Sequence, residues 1–393
     1  MRKISISRES MFSALLAVAM AGNYLAFAQS AGDANAQTVT AIVSELQKHL
    51  DAEVAGNPSI PGELLHIISP KHKLDVSLAS GVFDRETKRP LDPHHVFRIA
   101  SVTKTFTAAA ILRLYEDGKI KLDEPINRYL PQEYVSVLEE GGYATKTITV
   151  RHLLTHTSGI HDYAADPKYK TAALSDPKKH WTRMEQAQLA MKLNKPHFEP
   201  GKGFHYSDTG YVLLGEMIER LSKKSLGQAF RDLLDFKKLE LDETYLETLE
   251  PAPVGIKELS HPYFGSMDTV NFDPSFDLYG GGGLVSSAED LARFYRALLQ
   301  GKVFRRAETL QEMLAIPETN LRGTGDGYGM ALQRGRLAGY VVWGHLGFWG
   351  TAAGHCPDLD LTIVRHVNQG QLGKEFSLNA LYRKITETLK IGN

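Results

Sequence analysis

Phe97-Arg-Ile-Ala-Ser101-Val-Thr-Lys104-Thr-Phe-Thr-Ala-Ala-Ala-Ile-Leu112 sets a serine and a lysine at the head of an apolar run. The run reads as a helix, and residues i and i+3 share one of its faces, so the lysine nitrogen reaches the serine oxygen. A serine hydroxyl is a poor nucleophile until a neighbouring base takes its proton. At a helix's first turn the free N–H groups and the dipole favour an alkoxide and the oxyanion that follows its attack. Burial against the apolar helix lowers a lysine pKa and makes the amine a usable base. The competing reading is an ordinary helix N-cap, a position serine favours. Spacing alone does not decide between them, because Ser175-Asp-Pro-Lys178 repeats it in a polar, proline-broken stretch that reads as a loop.

The 393 residues are 42% hydrophobic, enough for one large core or two smaller ones, which marks a globular protein. With 45 basic against 46 acidic residues, no charge excess favours nucleic acid or an anionic membrane surface as partner. The N-terminus carries Arg2, Lys3 and Arg8, an apolar run from Met11 to Phe27 and the small-residue site Ala26-Phe-Ala28. Asn23 and Tyr24 interrupt the run, so it reads as a secretory signal peptide over residues 1–28 rather than a stable membrane span. The mature chain is then expected to begin near Gln29, with a second candidate site after Ala34-Asn-Ala36, in the periplasm or secreted medium of a bacterium. Cys356 is the single cysteine, so an exported chain is held by its core without an intramolecular disulfide.

Outward from the serine helix, Val39, Ile42, Val43, Leu46 and Leu50 recur at helical spacing and predict an amphipathic helix over Thr38 to Leu50. Leu64 to Ser69 and Leu74 to Leu78, parted by Pro70-Lys-His-Lys, predict an antiparallel hairpin. The helix opened by Ser101 should run to about Asp117 and stop at Gly118. Lys121 to Pro131 is a turn-rich connector, and Ile148 to Gly159 a helical turn with its stop. Pro200-Gly-Lys-Gly-Phe-His-Tyr206-Ser-Asp208-Thr-Gly210 is a loop, followed by a helix from Tyr211 to Lys223. Tyr279 to Arg293 is a glycine loop capped into a helix by Ser286 or Ser287. Neither this loop nor Gly323 to Gly329 ends in the Gly-Lys-Ser/Thr of a phosphate loop, which leaves nucleotide binding unsupported.

Gly339 to His345, Gly350 to His355 and Leu361 to Val367 read as successive strands, with a closing helix from Phe376 to Leu389. Strand-rich ends around a helix-rich middle predict an α+β fold, one antiparallel sheet flanked by helices. We expect residues 29–393 to form a single domain, with 29–100 and 325–393 as its α/β part and 101–324 mainly helical.

His152 and His156 stand at i and i+4 and, with His161, raise a metallohydrolase reading. Leu153 holds the place where a metalloprotease pair carries its glutamate, so scaffold histidines are the better account. No metal and no cofactor are expected.

Three pieces stand in order: Ser101-Val-Thr-Lys104, Tyr206-Ser-Asp208 and His345-Leu-Gly347, the one His-x-Gly among 15 histidines. Together with Arg151-His-Leu-Leu-Thr-His-Thr-Ser-Gly159, Gly281-Gly-Gly-Leu-Val-Ser-Ser-Ala-Glu-Asp290 and Gly344-His-Leu-Gly-Phe-Trp-Gly350, they resemble the serine penicillin-recognising superfamily. The resembling branch holds class C β-lactamases, D-alanyl-D-alanine carboxypeptidases and related esterases and amidases, and the resemblance covers nearly the whole mature chain.

The resemblance implies a β-lactamase/transpeptidase-like fold with Ser101 as the acylated nucleophile. It implies that Lys104 shares its proton with Tyr206, the general base for acylation and acid for the leaving group. His345, on a strand edge facing the nucleophile, takes the place of a lysine in β-lactamases. The backbone N–H groups of Ser101 and Phe348 would form the oxyanion hole, and Gly347 would let the strand approach.

Two departures matter. Asp208 replaces an asparagine, and an ionised carboxylate cannot donate to a substrate carbonyl. Leu346 replaces a threonine that helps hold a substrate carboxylate. With Asp208 beside it, Lys104 is expected to stay charged and to lower the Tyr206 pKa.

The expectation is a secreted serine hydrolase acting on peptide, amide or ester carbonyls of a small molecule or peptide, D-alanyl-D-alanine carboxypeptidase-like in the first place. An esterase, a β-lactamase, a D-amino-acid amidase or aminopeptidase, and a non-catalytic penicillin-binding sensor are the alternatives.

Overall fold

The computed structural model describes residues 33–322, 325–370 and 377–391, with side chains from residue 38. The expected signal peptide lies outside the described residues, as does Phe376. Among the described residues, no helix is long and apolar enough to cross a membrane.

The chain opens with helix α1 (Asp33–Gly56), longer at both ends than its apolar spacing indicates. The hairpin follows as β1 (Gly62–Ser69) and β2 (Leu74–Gly81), turned by a 3-10 segment that ends on Lys73 in the left-handed conformation, φ 55°. Strand β3 (Phe97–Arg98) leads to α2 (Thr103–Glu116), which stops at Gly118 with φ 68° as expected.

The middle of the chain holds α3 (Gln132–Glu140), α4 (Val150–Leu154), α5 (Pro167–Ser175), α6 (Arg183–Leu193), α7 (Asp208–Ser222) and α8 (Leu226–Leu233). Short strands β4 (Tyr245–Leu246), β5 (Tyr263–Phe264), β6 (Met267–Asp268) and β7 (Leu284–Ser286) follow, then α9 (Ala288–Leu299) and α10 (Ala307–Leu314). The end supplies β8 (Gly327–Tyr328), β9 (Gln333–Leu337), β10 (Tyr340–Gly347), β11 (Thr351–Cys356), β12 (Leu361–Val367) and α11 (Leu378–Thr388).

Among the described residues, seven strands form one antiparallel sheet in the order β2-β1-β12-β11-β10-β9-β8. The two ends of the chain therefore meet at the β1–β12 pair, where Glu63 stands opposite Val367 and Ile67 opposite Ile363. Both faces are covered. Leu65 and Ile67 of β1 with Leu361 and Ile363 of β12 pack under Leu46, Leu50, Leu381 and Ile385 of α1 and α11. Leu64 and Ile68 with Val364 point to the other face, toward α9 and the helical part. Period-two alternation sorts these side chains between two cores, and because both faces are covered, β1 is buried at every position.

Three segments differ from the sequence reading. Ser175 closes α5 rather than lying in a loop, and its hydroxyl donates to Thr171 O while Lys178 bonds Asn271 O, so this second serine–lysine pair does not meet. Helix α7 starts at Asp208, three residues early, because Ser207 caps it by accepting from the Gly210 N–H. Strands β8 and β9 are additional, as is the small sheet β3-β7-β4 in the helical part.

Candidate active site

Ser101 lies in a 3-10 turn, Ala100–Val102, that feeds α2. Neither turn nor helix has a side-chain cap, which removes the N-cap reading. The Ser101 hydroxyl instead accepts a hydrogen bond from Lys104 Nζ at 2.9 Å. Ala100 just before it has φ 46°, a left-handed conformation costly for a residue with a Cβ, and such strain is found where surrounding structure holds a functional turn in place. One hold comes from Ile99, whose N–H donates to Leu284 O of β7.

Lys104 has no exposed surface, and its nitrogen meets three acceptors: Ser101 Oγ, Asp208 Oδ1 and, at 2.7 Å, Gly281 O. An ammonium has three N–H donors and no lone pair, so this set fits the charged form. Burial works to lower the Lys104 pKa, but the Asp208 carboxylate, followed by Tyr206 and Asp277, outweighs it and the net shift is upward. The expected charged Lys104 therefore has its physical cause in the structure.

Asp208 reaches the lysine as the first residue of α7, where a negative charge also suits the helix dipole. Gly281 makes room for it, since a Cβ there would stand 2.9 Å from Asp208 Oδ1. Two further carboxylates crowd the ion pair. Asp162 accepts from the Asp208 N–H at 3.2 Å, and its pKa is raised by burial and then by Asp208. Asp277 is pushed up to about 6 by the same two causes.

Tyr206 immediately precedes the Ser207 cap and lays its ring beside Lys104, whose nitrogen is 5.0 Å from the ring centroid. Its pKa departs from expectation. The Lys104 charge does pull it down, yet burial dominates, Asp208 adds to it, and the net shift is upward.

His156 fixes the tyrosine loop from behind. Its carbonyl accepts from the His205 N–H at 2.9 Å, its Nδ1 from the Ser207 N–H at 3.0 Å, and its ring packs 4.2 Å from that of Tyr206. With Nδ1 accepting, neutral His156 donates from Nε2 to Tyr328 Oη at 3.2 Å, and Tyr328 in turn donates to His345 Nε2 at 2.9 Å. The His345 Nδ1–H ends the chain on Leu346 O at 2.7 Å.

Both nitrogens of His345 are thus committed, and burial, with Lys104 second, pushes its pKa down to about 3. The expected substrate-facing histidine borders a cavity of about 630 Å3 together with Phe204, Tyr206, Arg322, Tyr328 and Leu346, but offers that cavity neither a charge nor a free donor. Leu346 is 47% exposed and Phe348 45%.

Gly347 is needed where it stands, because a Cβ would come within 2.3 Å of Ile99 O. This close approach brings Phe348 beside the turn that carries Ser101. The Phe348 ring stacks on Phe264 at 5.8 Å and meets Trp349 at 4.9 Å, which itself contacts Phe276, so an aromatic wall adjoins the turn.

The structure therefore brings Ser101, Lys104, Tyr206 and Asp208 into one cluster, with β10 closing on it. His152 stays apart, its Nδ1 accepting from the Thr149 N–H in a capping box, a scaffold role that agrees with the disfavoured metallohydrolase reading. His156, Asp162, Asp277 and Tyr328 were not singled out for these roles from the sequence. His156 and Tyr328 lie in stretches named above for other reasons, and no local pattern distinguishes Asp162 or Asp277.

A serine hydrogen-bonded to a buried lysine on this mixed α/β fold defines the class of active-site-serine hydrolases of the β-lactamase/transpeptidase type. The Beta-lactamase family model matches residues 46–387, and the chain belongs to that family. It is 28% identical over 303 residues to penicillin-binding protein 4* of Bacillus subtilis, covering 73% of this chain and 62% of that relative's length. It is 31% identical to esterase EstB of Burkholderia gladioli, covering 64% of this chain and 70% of the esterase. Among solved structures, a D-stereospecific amidohydrolase from Streptomyces sp. aligns with a TM-score of 0.73 at 29% identity, covering 89% of this chain and 99% of that one.

Proposed function

We propose that this serine hydrolase cleaves esters and amides of small acyl groups with apolar or aromatic side chains, through an acyl-enzyme on Ser101. The carrying observation is the saturated lysine: with its three protons on Ser101, Asp208 and Gly281, Lys104 has no lone pair to act as base. Tyr206 is then the base. As tyrosinate it takes the Ser101 Oγ proton while Oγ bonds to the substrate carbonyl carbon, and the developing oxyanion lies between the N–H groups of Ser101 and Phe348. The Tyr206 hydroxyl returns the proton to the leaving nitrogen or oxygen as that bond breaks. Water then attacks the acyl-enzyme by the same route.

Substrate preference follows from the third motif. A D-alanyl-D-alanine carboxypeptidase must hold a terminal carboxylate, but Leu346 is apolar and His345 is neutral with both nitrogens engaged. Asp208 is engaged by Lys104 through Oδ1. The aromatic wall of Phe264, Phe348 and Trp349 suits an apolar acyl group. The esterase and D-stereospecific amidohydrolase relatives support this order, with amides and esters first and D-alanyl peptides, the first choice of the sequence, after them.

The test is intact-protein mass spectrometry and turnover with a short-chain p-nitrophenyl ester, D-phenylalanine amide, an N-acetylated D-Ala-D-Ala peptide and a β-lactam. We expect acylation and turnover of the first two, kcat/KM at least about tenfold lower for the peptide, and no adduct in Ser101→Ala. An adduct that survives Ser101→Ala refutes the nucleophile. Efficient release of terminal D-alanine restores the carboxypeptidase, and a stable β-lactam adduct without turnover of any substrate gives the sensor. Export is part of the same proposal, and N-terminal sequencing of the mature protein should begin near Gln29.

A further inference from the structure

Beside the active site the fold assembles a second constellation that the hydrolase reading does not use. The segment from Asn194 to Ser207 runs along residues 156–159, held by three backbone hydrogen bonds: His197 N to Gly159 O, Gly201 N to Thr157 O and His205 N to His156 O, at 2.8–2.9 Å. This pairing brings His197 and His205 up against His161. One ring nitrogen of each lies within 4.8 Å of the others.

We propose that His161, His197 and His205 form a binding site for Zn²⁺ or a similar borderline divalent transition metal. The donor set is three imidazoles. Zinc takes imidazole nitrogen at about 2.0–2.1 Å, which in tetrahedral geometry sets the ligand atoms roughly 3.4 Å apart, and His161 Nδ1 and His197 Nε2 already stand 3.0 Å apart. The His205 Nε2 is buried without a hydrogen-bond partner among the described residues, a costly state for a polar nitrogen and one that a metal bond relieves.

His161 has the orientation of a metal ligand. Its Nε2–H donates to Asp166 Oδ2 at 3.2 Å, which leaves Nδ1 as the atom with the lone pair, and a carboxylate behind a ligating histidine is the usual way to fix tautomer and ring. Asp166 is held in turn, because its Oδ1 accepts from the Lys168 N–H as the cap of α5. In the metal-free arrangement His197 Nε2–H donates to His161 Nδ1, so on binding that proton leaves Nε2 for His197 Nδ1 and both lone pairs turn to the cation. Three protein ligands leave a fourth position for water. Nitrogen donors without a direct carboxylate disfavour Mg²⁺ and Ca²⁺.

The site staples the tyrosine loop. His205 adjoins Tyr206, and the His161 carbonyl accepts from Ser207 Oγ and Thr209 Oγ1 at the start of α7. A bound metal therefore ties the segment that carries the proposed base to the segment behind it.

Zinc should be titrated into tag-free, chelator-dialysed full-length protein in competition with a chromophoric chelator, with Co²⁺ absorption as a second readout of nitrogen coordination. We expect one Zn²⁺ per chain with a dissociation constant at or below the micromolar range. His197→Ala and His205→Ala should each weaken it at least about a hundredfold, Asp166→Asn by about 10–100-fold, and His152→Ala should leave it intact. His197 is exposed, so its variant tests the ligand without opening the core, and circular dichroism checks the fold of each protein. Absence of stoichiometric binding, or binding unchanged in folded His197→Ala or in Asp166→Asn, overturns the proposal. None of these readouts depends on Ser101, so the hydrolase reading stands or falls separately.

Discussion

Asp208 sits where its charge acts on two groups at once. Its carboxylate holds the Lys104 ammonium, and the same anion adds to the burial that raises the Tyr206 pKa. A tyrosine protonated at neutral pH is a base only after it ionises, so kcat/KM should climb with pH through the neutral and alkaline range. In Asp208→Asn the anion is gone while Lys104 remains, Tyr206 ionises more easily, and the acid limb should move to lower pH by about one unit, which corresponds to about 1.4 kcal/mol. An unmoved or higher limb would show that Asp208 does not tune the base. Tyr206→Phe should slow acylation at least about a hundredfold at every pH, measured as the burst rate with an activated ester. Ser101, Lys104 and Tyr206 were legible as candidates in the sequence because two short phrases carry all three side chains. The direction of the Tyr206 shift was not, because it depends on desolvation competing with a cation, and only packing says which is larger.

At the scale of elements, the site is made by β10 meeting the Ser101 turn at Gly347. A Cβ there would press into Ile99 O at 2.3 Å, and neither backbone can yield without moving Ser101 or Phe348. Gly347→Ala should therefore cut acylation by about 10²–10³-fold, the usual loss for one oxyanion donor, while near-ultraviolet circular dichroism stays close to that of the parent. Normal acylation in this variant would mean that the strand end does not shape the site. The strands β10, β11 and β12 and the β1–β2 hairpin could be read from apolar runs bounded by turns. Gln333-Arg-Gly-Arg-Leu337 could not, because β9 lies near the sheet edge, pairs on one side with only the short β8 and carries polar residues outward. Helix α7 was placed late because Asp208, Thr209 and Gly210 are weak helix formers, and the Ser207 cap with tertiary contact to Asp162 and Lys104 overrides that propensity.

Across the whole molecule, the two ends of the chain are tied through one buried cation. Arg365 of β12 forms ion pairs with Glu63 of β1 at 2.6 Å and Glu53 of α1 at 3.2 Å, and Glu63 has no exposed surface. Burial, opposed by Arg365, raises the Glu63 pKa to about 7. Arg365→Leu leaves that carboxylate uncompensated and should cost about 3–5 kcal/mol at pH 8. The sign with pH follows from linkage. Without Arg365 the folded pKa lies higher still above the unfolded value, the folded state alone keeps the proton in between, and the deficit should shrink as pH falls toward 5. Thermal unfolding of both proteins at pH 8 and pH 5 decides it; a pH-independent gap would exclude Glu63 as the cause.

The amino-acid sequence by itself determined the class of this protein, since the serine, lysine, tyrosine and His-x-Gly phrases and the strand-rich ends are local patterns with local causes. The tertiary structure alone decided that burial outweighs the Lys104 cation at Tyr206, that His345 faces inward to Tyr328, and that His161, His197 and His205 converge. Each of these depends on groups far apart in the chain coming within a few ångströms in a water-poor interior, where charge, tautomer and ligand geometry are set by neighbours that sequence order does not reveal.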